Sequence, residues 1–373
     1  MADRTNTFQI TTLPGDGIGS EVMAPCRQLL QAVEAKVGGF SLTMDECAAG
    51  AGHYRDTGDA LPNETLASCR NADAILLAAM GLPHIRYPDG TEIAPQITLR
   101  MELGLYAGVR PVKSLPGLPP VLSDPRAAAL DFVLVRESTE GLFASKGKGT
   151  IVNDEAATET LVVTRKVSEK LFDFSFRLAQ QRKAKGGPGR LTLVDKANVF
   201  SAFAFQRQIF AERAKNFPDI EPTYAYVDAT ALDMVRRPWT FDVMVTENMF
   251  GDILSDLGAG LIGGMGMAPS ADIGDTHAVF QPCHGTAPDI VGQGKANPTA
   301  MFLSAAMMLD WLADTRGSTS ARQGGALIEA AVGQAYRRDN LRSVELGGSD
   351  GTDAITAAVL RAIDDINPDA LNG

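Results

Sequence analysis

Four cysteines in 373 residues, none at a CxxC or CxxH spacing, leave little from which to build a disulfide framework or a zinc site. Cys26, Cys47, Cys69 and Cys283 read as reduced, structural thiols of a cytosolic protein. Long apolar runs are also missing. Nothing approaches the ~20 residues a membrane helix needs, and the opening residues lack a charged-then-apolar leader pattern. The expectation is a cytoplasmic protein with no membrane partner. Positive charge is in deficit, with 34 Lys and Arg against 45 Asp and Glu and a net charge of −11. That balance argues against nucleic acid as a partner, and Lys146 and Lys148 alone do not make a phosphate-tracking patch. A small anionic substrate would have to be drawn in by a local cluster of arginines, against the overall field. Low-complexity segments are absent, and the length exceeds one typical core, so two globular domains are expected.

What is present is an alternation of short apolar runs with amphipathic stretches, the pattern of an α/β fold with much parallel pairing. Phe8 to Leu13, Ala74 to Ala79, Phe132 to Val135, Arg190 to Val194 and Phe241 to Val245 read as strands. A helix is predicted from about Gly19 to Val37, and Val167, Leu171, Phe174 and Leu178 recur at helical spacing. Four prolines and a glycine between Lys113 and Pro125 mark a loop, and Gly258 to Gly274 reads as irregular.

The most informative stretch is Val243 to Asp256. A strand ends at a glycine, and on the helix that follows Asp252 and Asp256 are one turn apart. Two carboxylates aimed at one spot repel unless a hard cation such as Mg²⁺ or Mn²⁺ sits between them. The plainer alternative is that both acids merely suit a helix N-terminus. Arg110 closes the run Leu105 to Val109 and Arg136 closes Phe132 to Val135, while Arg100 sits in a helix-like segment. Each alone reads as an ordinary surface or ion-paired residue. Guanidinium groups at strand ends, however, suit the carboxylates of a di- or tricarboxylate. Lys196 and Asn198 follow a strand, where Lys196 reads as a general base or as a turn lysine. Asp228 reads as a third metal ligand or as an N-cap. His284, Gly285, Thr286, Ala287 and Asp289, with Asn297, form a small-residue loop suited to a nucleotide, although His284 also reads as a hydrogen-bonded loop histidine. Asp289 would accept from the ribose hydroxyls of NAD and repel a 2′-phosphate. The string Gly258-Ala259-Gly260-Leu261-Ile262-Gly263 matches a dinucleotide fingerprint but follows a helix, so it is set aside.

Taken together, Leu13 to Gly19, Val194 to Val199, Asn248 to Asp256, His284 to Asp289, Asn297-Pro298 and Leu346 to Thr352 resemble the isocitrate and isopropylmalate dehydrogenase family of β-decarboxylating dehydrogenases, which includes tartrate/malate and homoisocitrate enzymes. The resemblance implies a two-domain, non-Rossmann α/β fold with helix-flanked sheets. Residues 1–105 with 263–373 would form the first domain, carrying the cofactor loop. Residues 106–262 would form an inserted middle domain that carries the dimer interface and the metal-site aspartates. It implies a homodimer with shared active sites. Arg100, Arg110 and Arg136 would hold substrate carboxylates, and Asp252 and Asp256, with Asp228 of the partner subunit, would bind Mg²⁺ or Mn²⁺. Lys196 would cross the interface as the base, with Asn198 near substrate and nicotinamide, and the Asp289 loop would hold NAD.

Two positions depart from the family pattern. Phe143 stands where the family has its acid tyrosine, and Gln281 where it has a glutamate. Before Arg100, Ile93 and Ile97 suit an alkyl substituent, Gln96 suits a hydroxyl or carboxylate, and Ala94 replaces the serine used by isocitrate-specific relatives. The leading expectation is NAD- and metal-dependent oxidative decarboxylation of a malate-type 2-hydroxy dicarboxylate, 3-isopropylmalate or a close analogue. A D-malate/tartrate-type enzyme and a non-catalytic subunit of a hetero-oligomeric dehydrogenase are the alternatives.

Overall fold

The computed structural model describes residues 6–371. The chain opens with β1 (Asn6–Gly15), α1 (Gly19–Val37), β2 (Phe40–Glu46), α2 (Ala51–Thr57), α3 (Asn63–Asn71) and β3 (Ala74–Ala79). Then come α4 (Pro95–Leu103), β4 (Ala107–Lys113), β5 (Asp131–Glu137) and an arm of two short strands, β6 (Thr150–Val152) and β7 (Ala156–Thr158). Next are α5 (Arg165–Ala184), β8 (Arg190–Asp195), α6 (Ser201–Ala214), β9 (Glu221–Tyr226), α7 (Val227–Arg236), β10 (Val243–Thr246) and α8 (Asn248–Leu261). The chain continues through β11 (Pro269–Ile273), β12 (Ala278–Pro282), α9 (Thr299–Arg316), α10 (Thr319–Arg338) and α11 (Thr352–Asp365).

One ten-stranded sheet holds the described chain together, in the order β2-β1-β3-β12-β11-β4-β5-β10-β8-β9. It runs without a break across residues 105–106 and 262–263. The strands at each end pair in parallel, whereas β11 pairs antiparallel with both β12 and β4, and β4 antiparallel with β5. The two parallel sets therefore run in opposite senses. The join between β3 and β12 is short, with Ile75 opposite Val279 and Leu76 opposite Phe280.

Each element follows from its residues. All of Ala74–Ala79 is buried, as a strand covered by helices on both faces must be. Helix α1 buries Val22, Met23, Cys26, Leu29, Leu30 and Val33 at three- and four-residue intervals. On α5 the inward face is Leu171, Phe172, Ser175, Phe176 and Ala179, rotated by about one residue from the expected stripe. Stacking explains the rotation: Phe172 and Phe176 both pack on Phe210 of α6, with ring centroids 5.1 and 5.2 Å apart.

The stretch Gly258 to Gly274 is irregular only in its middle, residues 262–268. Its first residues finish α8, and Pro269–Ile273 form a fully buried strand in mid-sheet. The glycines misled because one of them serves packing: a Cβ on Gly258 would lie 2.7 Å from Val112 Cγ2, so only glycine lets α8 approach β4 so closely. The set-aside glycine string thus belongs to a helix end.

Candidate active site

Beyond the short β3–β12 join, the two strands diverge. Leu77 to Met80 on one side and Gln281 to Gly285 on the other line a polar cavity of about 250 Å³. Gln96, Ile97 and Arg100 enter it from α4, Arg110 from β4, Arg136 from β5, and Asp252, Ser255 and Asp256 from α8. Phe143 completes the wall. Three larger grooves, of about 660, 510 and 450 Å³, contain none of these arginines or α8 aspartates.

The three expected arginines do meet, although Arg110 lies in the middle of β4 and not at its end. The antiparallel pairing of β4 with β5 is what sets Arg110 beside Arg136, and a sequence alone does not announce that register. All three are buried. Arg136 donates from Nε and Nη2 to Asn248 Oδ1, at 3.2 and 2.7 Å, and from Nη1 to Asp252 Oδ1. Arg110 has Cys283 Sγ 3.2 Å from Nη1, while its Nε, although buried, has no partner. Burial, reinforced by Arg110 and Arg100 nearby, pushes the Arg136 guanidinium down to about 10 despite Asp252. The cavity is thus short of negative charge, which is the condition under which an anion binds.

Asp252 and Asp256 lie beyond the first turn of α8. Glu247 caps that helix by accepting from the N–H groups of Met249 and Phe250, so the two aspartates are not there to serve the helix N-terminus. Burial, then the charge of Asp252, raises the Asp256 carboxyl above its usual value. That strain suits a divalent cation, which supplies the missing counter-charge to hard oxygen donors. No third acid of this chain joins them: among the described residues no group of three His, Cys, Asp or Glu could hold a metal.

Asp228 begins α7 away from the cavity, where it accepts from Lys196 Nζ at 2.7 Å. Lys196 lowers the Asp228 carboxyl, and both side chains reach solvent. Asn198, in the turn after β8, is exposed. Lys196, Asn198 and Asp228 therefore do not line the cavity of their own chain.

The cofactor-loop residues fall into two groups. His284 Nδ1 lies 2.8 Å from Gly285 O, and a carbonyl only accepts, so Nδ1 carries the hydrogen. Burial lowers the imidazole, which leaves Nε2 a buried acceptor without a partner. Gly285, Gly292 and Gly294 have open space where a Cβ would be, and Ala287 takes the left-handed conformation, φ 38°. The loop therefore leaves room for a ligand beside exposed Asp289, as a nucleotide requires. The loop is pinned at Thr286, whose carbonyl accepts from Ile18 N–H at 2.9 Å. Gly17 permits this approach, because a Cβ there would lie 2.1 Å from Thr286 O. Asn297, by contrast, is engaged in scaffolding. Its Nδ2 donates to Glu345 Oε1 at 2.6 Å and its Oδ1 accepts from Thr299 N–H at 3.0 Å.

The substrate-side helix also needs a correction. Ile93 is buried against Ala51 and Ala60 in a separate small cluster, so of the two isoleucines Ile97 alone lines the cavity. Gln96 Oε1 is buried in the cavity with no partner. Unpartnered atoms of Gln96, Arg110 and His284 thus converge on one space, and buried polar atoms are rarely left so unless a ligand satisfies them.

One buried acid bonded to a cavity arginine escaped the sequence reading. Asp272, on β11, is fully buried, and its Oδ2 accepts from Arg100 Nε at 2.8 Å. The available signal was an acid inside the otherwise small and apolar strand Pro269–Ile273.

A family model described as isocitrate/isopropylmalate dehydrogenase matches residues 9–362. A 3-isopropylmalate dehydrogenase of Moorella thermoacetica is 42% identical, over 88% of this chain and 90% of its own. A 3-isopropylmalate/3-methylmalate dehydrogenase of Methanocaldococcus jannaschii is 40% identical, over 82% of this chain and 86% of its own. Among solved structures, an isocitrate dehydrogenase from Methylococcus capsulatus superposes with a TM-score of 0.83 at 36% identity, covering 95% of this chain and 99% of its own.

Proposed function

Because the chain belongs to the isocitrate/isopropylmalate dehydrogenase family and is a dehydrogenase of that type, we propose that it oxidises and decarboxylates a malate-type 2-hydroxy dicarboxylate, with NAD and a divalent cation. The observation that carries this reading is the cavity in which Arg100, Arg110 and Arg136 face Asp252 and Asp256. We place 3-isopropylmalate or a close analogue first as substrate, following the relatives' names and the wall offered by Ile97. A substrate with a polar C3 substituent, as in tartrate, is the second reading, favoured by the unpartnered Gln96 Oε1.

In this proposal Arg110, Arg136 and the free edge of Arg100 grip the two carboxylates and orient C2. When bound, Mg²⁺ or Mn²⁺ at Asp252 and Asp256 supplies polarisation of the C2 oxygen, and NAD in the loop His284–Asp289 supplies the hydride acceptor. Asp289 makes NAD the preferred form. Lys196 takes the hydroxyl proton as hydride leaves C2. The C3 carboxylate then departs as CO₂, and C3 of the resulting enol must gain a proton. Phe143 has none to give.

Lys196, Asn198 and Asp228 reach this chemistry only if they act on the cavity of a second copy. Two features support a homodimer. Leu232 and Val235 of α7 with Met249 and Ile253 of α8 form an exposed apolar face, where Ile253 alone is 63% exposed. The arm β6–β7 is exposed throughout, and a lone two-stranded ribbon is marginal in water without a partner. The same proposal treats residues 1–105 with 263–373, and 106–262, as two domains about the cleft, in a cytoplasmic enzyme. The test follows NADH and CO₂ together, with and without Mn²⁺, across 3-isopropylmalate, isocitrate, D-malate and tartrate. Absence of metal-dependent NADH formation from every one of them overturns the reading.

A further inference from the structure

Asp272 is a charge placed behind the cavity with some care. Besides Arg100 Nε, its Oδ2 accepts from Gln281 Nε2 at 2.6 Å, and its Oδ1 accepts from Ser138 Oγ at 3.2 Å. The surroundings are shaped to receive it. A Cβ on Gly108, across the ladder on β4, would lie 2.7 Å from Ser138 Oγ and 3.2 Å from Asp272 Oδ1. A glutamate at 281, which the family pattern leads one to expect, would set a second carboxylate where the amide now donates. Gln281 is thus the residue that a buried Asp272 requires. Burial alone would push the Asp272 carboxyl up, but Arg100, Arg110 and Arg136 hold it below its usual range, so it is ionised.

Two consequences reach the cavity. With Nε committed to Asp272, the Arg100 guanidinium turns its other edge towards the cavity it lines. The charge of the binding wall also falls: once a divalent cation offsets Asp252 and Asp256, three guanidinium groups less the Asp272 carboxylate leave two positive charges. A dicarboxylate cancels these, whereas a tricarboxylate brings a charge with no counterpart into a poorly solvated site.

We propose that Asp272 is the positioning and specificity residue of this site: through Arg100 Nε it fixes the anion-binding edge, and through its charge it selects dicarboxylates over tricarboxylates. This rests on the reading of the cavity as a hydroxy-acid site. The test is equilibrium binding by calorimetry to the full chain with Mg²⁺ and without NAD, so that turnover plays no part. The ligands are D-malate and 3-isopropylmalate as dicarboxylates and isocitrate as tricarboxylate. Asp272→Asn is expected to weaken dicarboxylate binding and to move the affinity ratio about tenfold towards isocitrate. Adding Gln281→Glu, which returns a carboxylate to the same spot, is expected to restore the ratio, a rescue that a purely structural role would not give.

An unchanged ratio in Asp272→Asn, or a shift that the double variant does not reverse, overturns the inference alone. A wild-type protein that binds neither class overturns the hydroxy-acid reading and this inference with it. If the single variant does not fold, the double variant is compared directly with wild type, and loss of its dicarboxylate preference overturns the inference.

Discussion

Replacing Phe143 by tyrosine adds one oxygen at a point where the proposed chemistry lacks a proton. The Phe143 ring lines the cavity, with its centroid 5.9 Å from Arg136 Cζ. Tyrosine keeps the ring and adds a hydroxyl at its far carbon, and the guanidinium nearby favours giving up its proton. A positioned general acid accelerates the step it serves by about 10²–10⁴-fold, which is about 3–5 kcal/mol of barrier. In the wild-type protein, an enol waiting for water can recapture CO₂, so net CO₂ release should lag behind NADH. With Phe143→Tyr, steady-state CO₂ release should rise by about 10²-fold, or until hydride transfer becomes limiting. The assay is rapid mixing with NADH followed by absorbance and CO₂ followed by a coupled reaction. If substrate affinity is intact and the ratio of CO₂ to NADH does not move, the missing-proton argument is wrong.

Other expectations follow from the same geometry. Arg110→Met removes a charged donor, and the apparent affinity for the dicarboxylate should drop about 10–100-fold, read as KM, with the far-ultraviolet circular dichroism unchanged. The Asp272 carboxyl lies below its unfolded value of about 3.9. Its contribution to stability is therefore present above that pH and lost as pH falls through the folded value. Urea unfolding should accordingly show the destabilisation by Asp272→Asn shrinking as pH falls below about 4. Ile253→Glu, on the exposed α7–α8 face, should yield folded monomers by sedimentation with activity reduced about 100-fold or more. Mixing equal amounts of Lys196→Met and Arg136→Met protein, each inactive alone, should recover about a quarter of the wild-type activity, because half of the dimers are hybrids and one of the two sites in each hybrid is whole. No recovery after subunit exchange would refute the shared site.

The legible parts of the chain were those whose signal is local. The apolar run Ala74–Ala79, the helix Gly19–Val37 and the pair Asp252 and Asp256 are set by periodicity within a few residues, and the structure has them where that periodicity puts them. The convergence of Arg100, Arg110 and Arg136 depended on sheet order, which crosses from β4 to β5 and back from β11, and no local pattern encodes it. Asp272 was hidden because its five-residue strand lies among glycines that read as loop. Ile93 went astray because the direction of a side chain just before a helix is set by what packs there, here Ala51 and Ala60. For Lys196 and Asp228 the residues alone left two readings each open, and only the resemblance chose between them, since the space they are proposed to serve belongs to another molecule.

The brevity of the β3–β12 join has a consequence for how such a pocket can evolve. The crevice needs no dedicated lid or inserted loop to exist, because it is the unzipped remainder of a ladder that closes over only Ile75–Leu76 and Val279–Phe280. Extending that zipper by one rung would gain backbone bonding and fill the crevice floor with Leu77 and Gln281. Rigidity and pocket depth are drawn from the same few amides, and neither can be increased without surrendering some of the other.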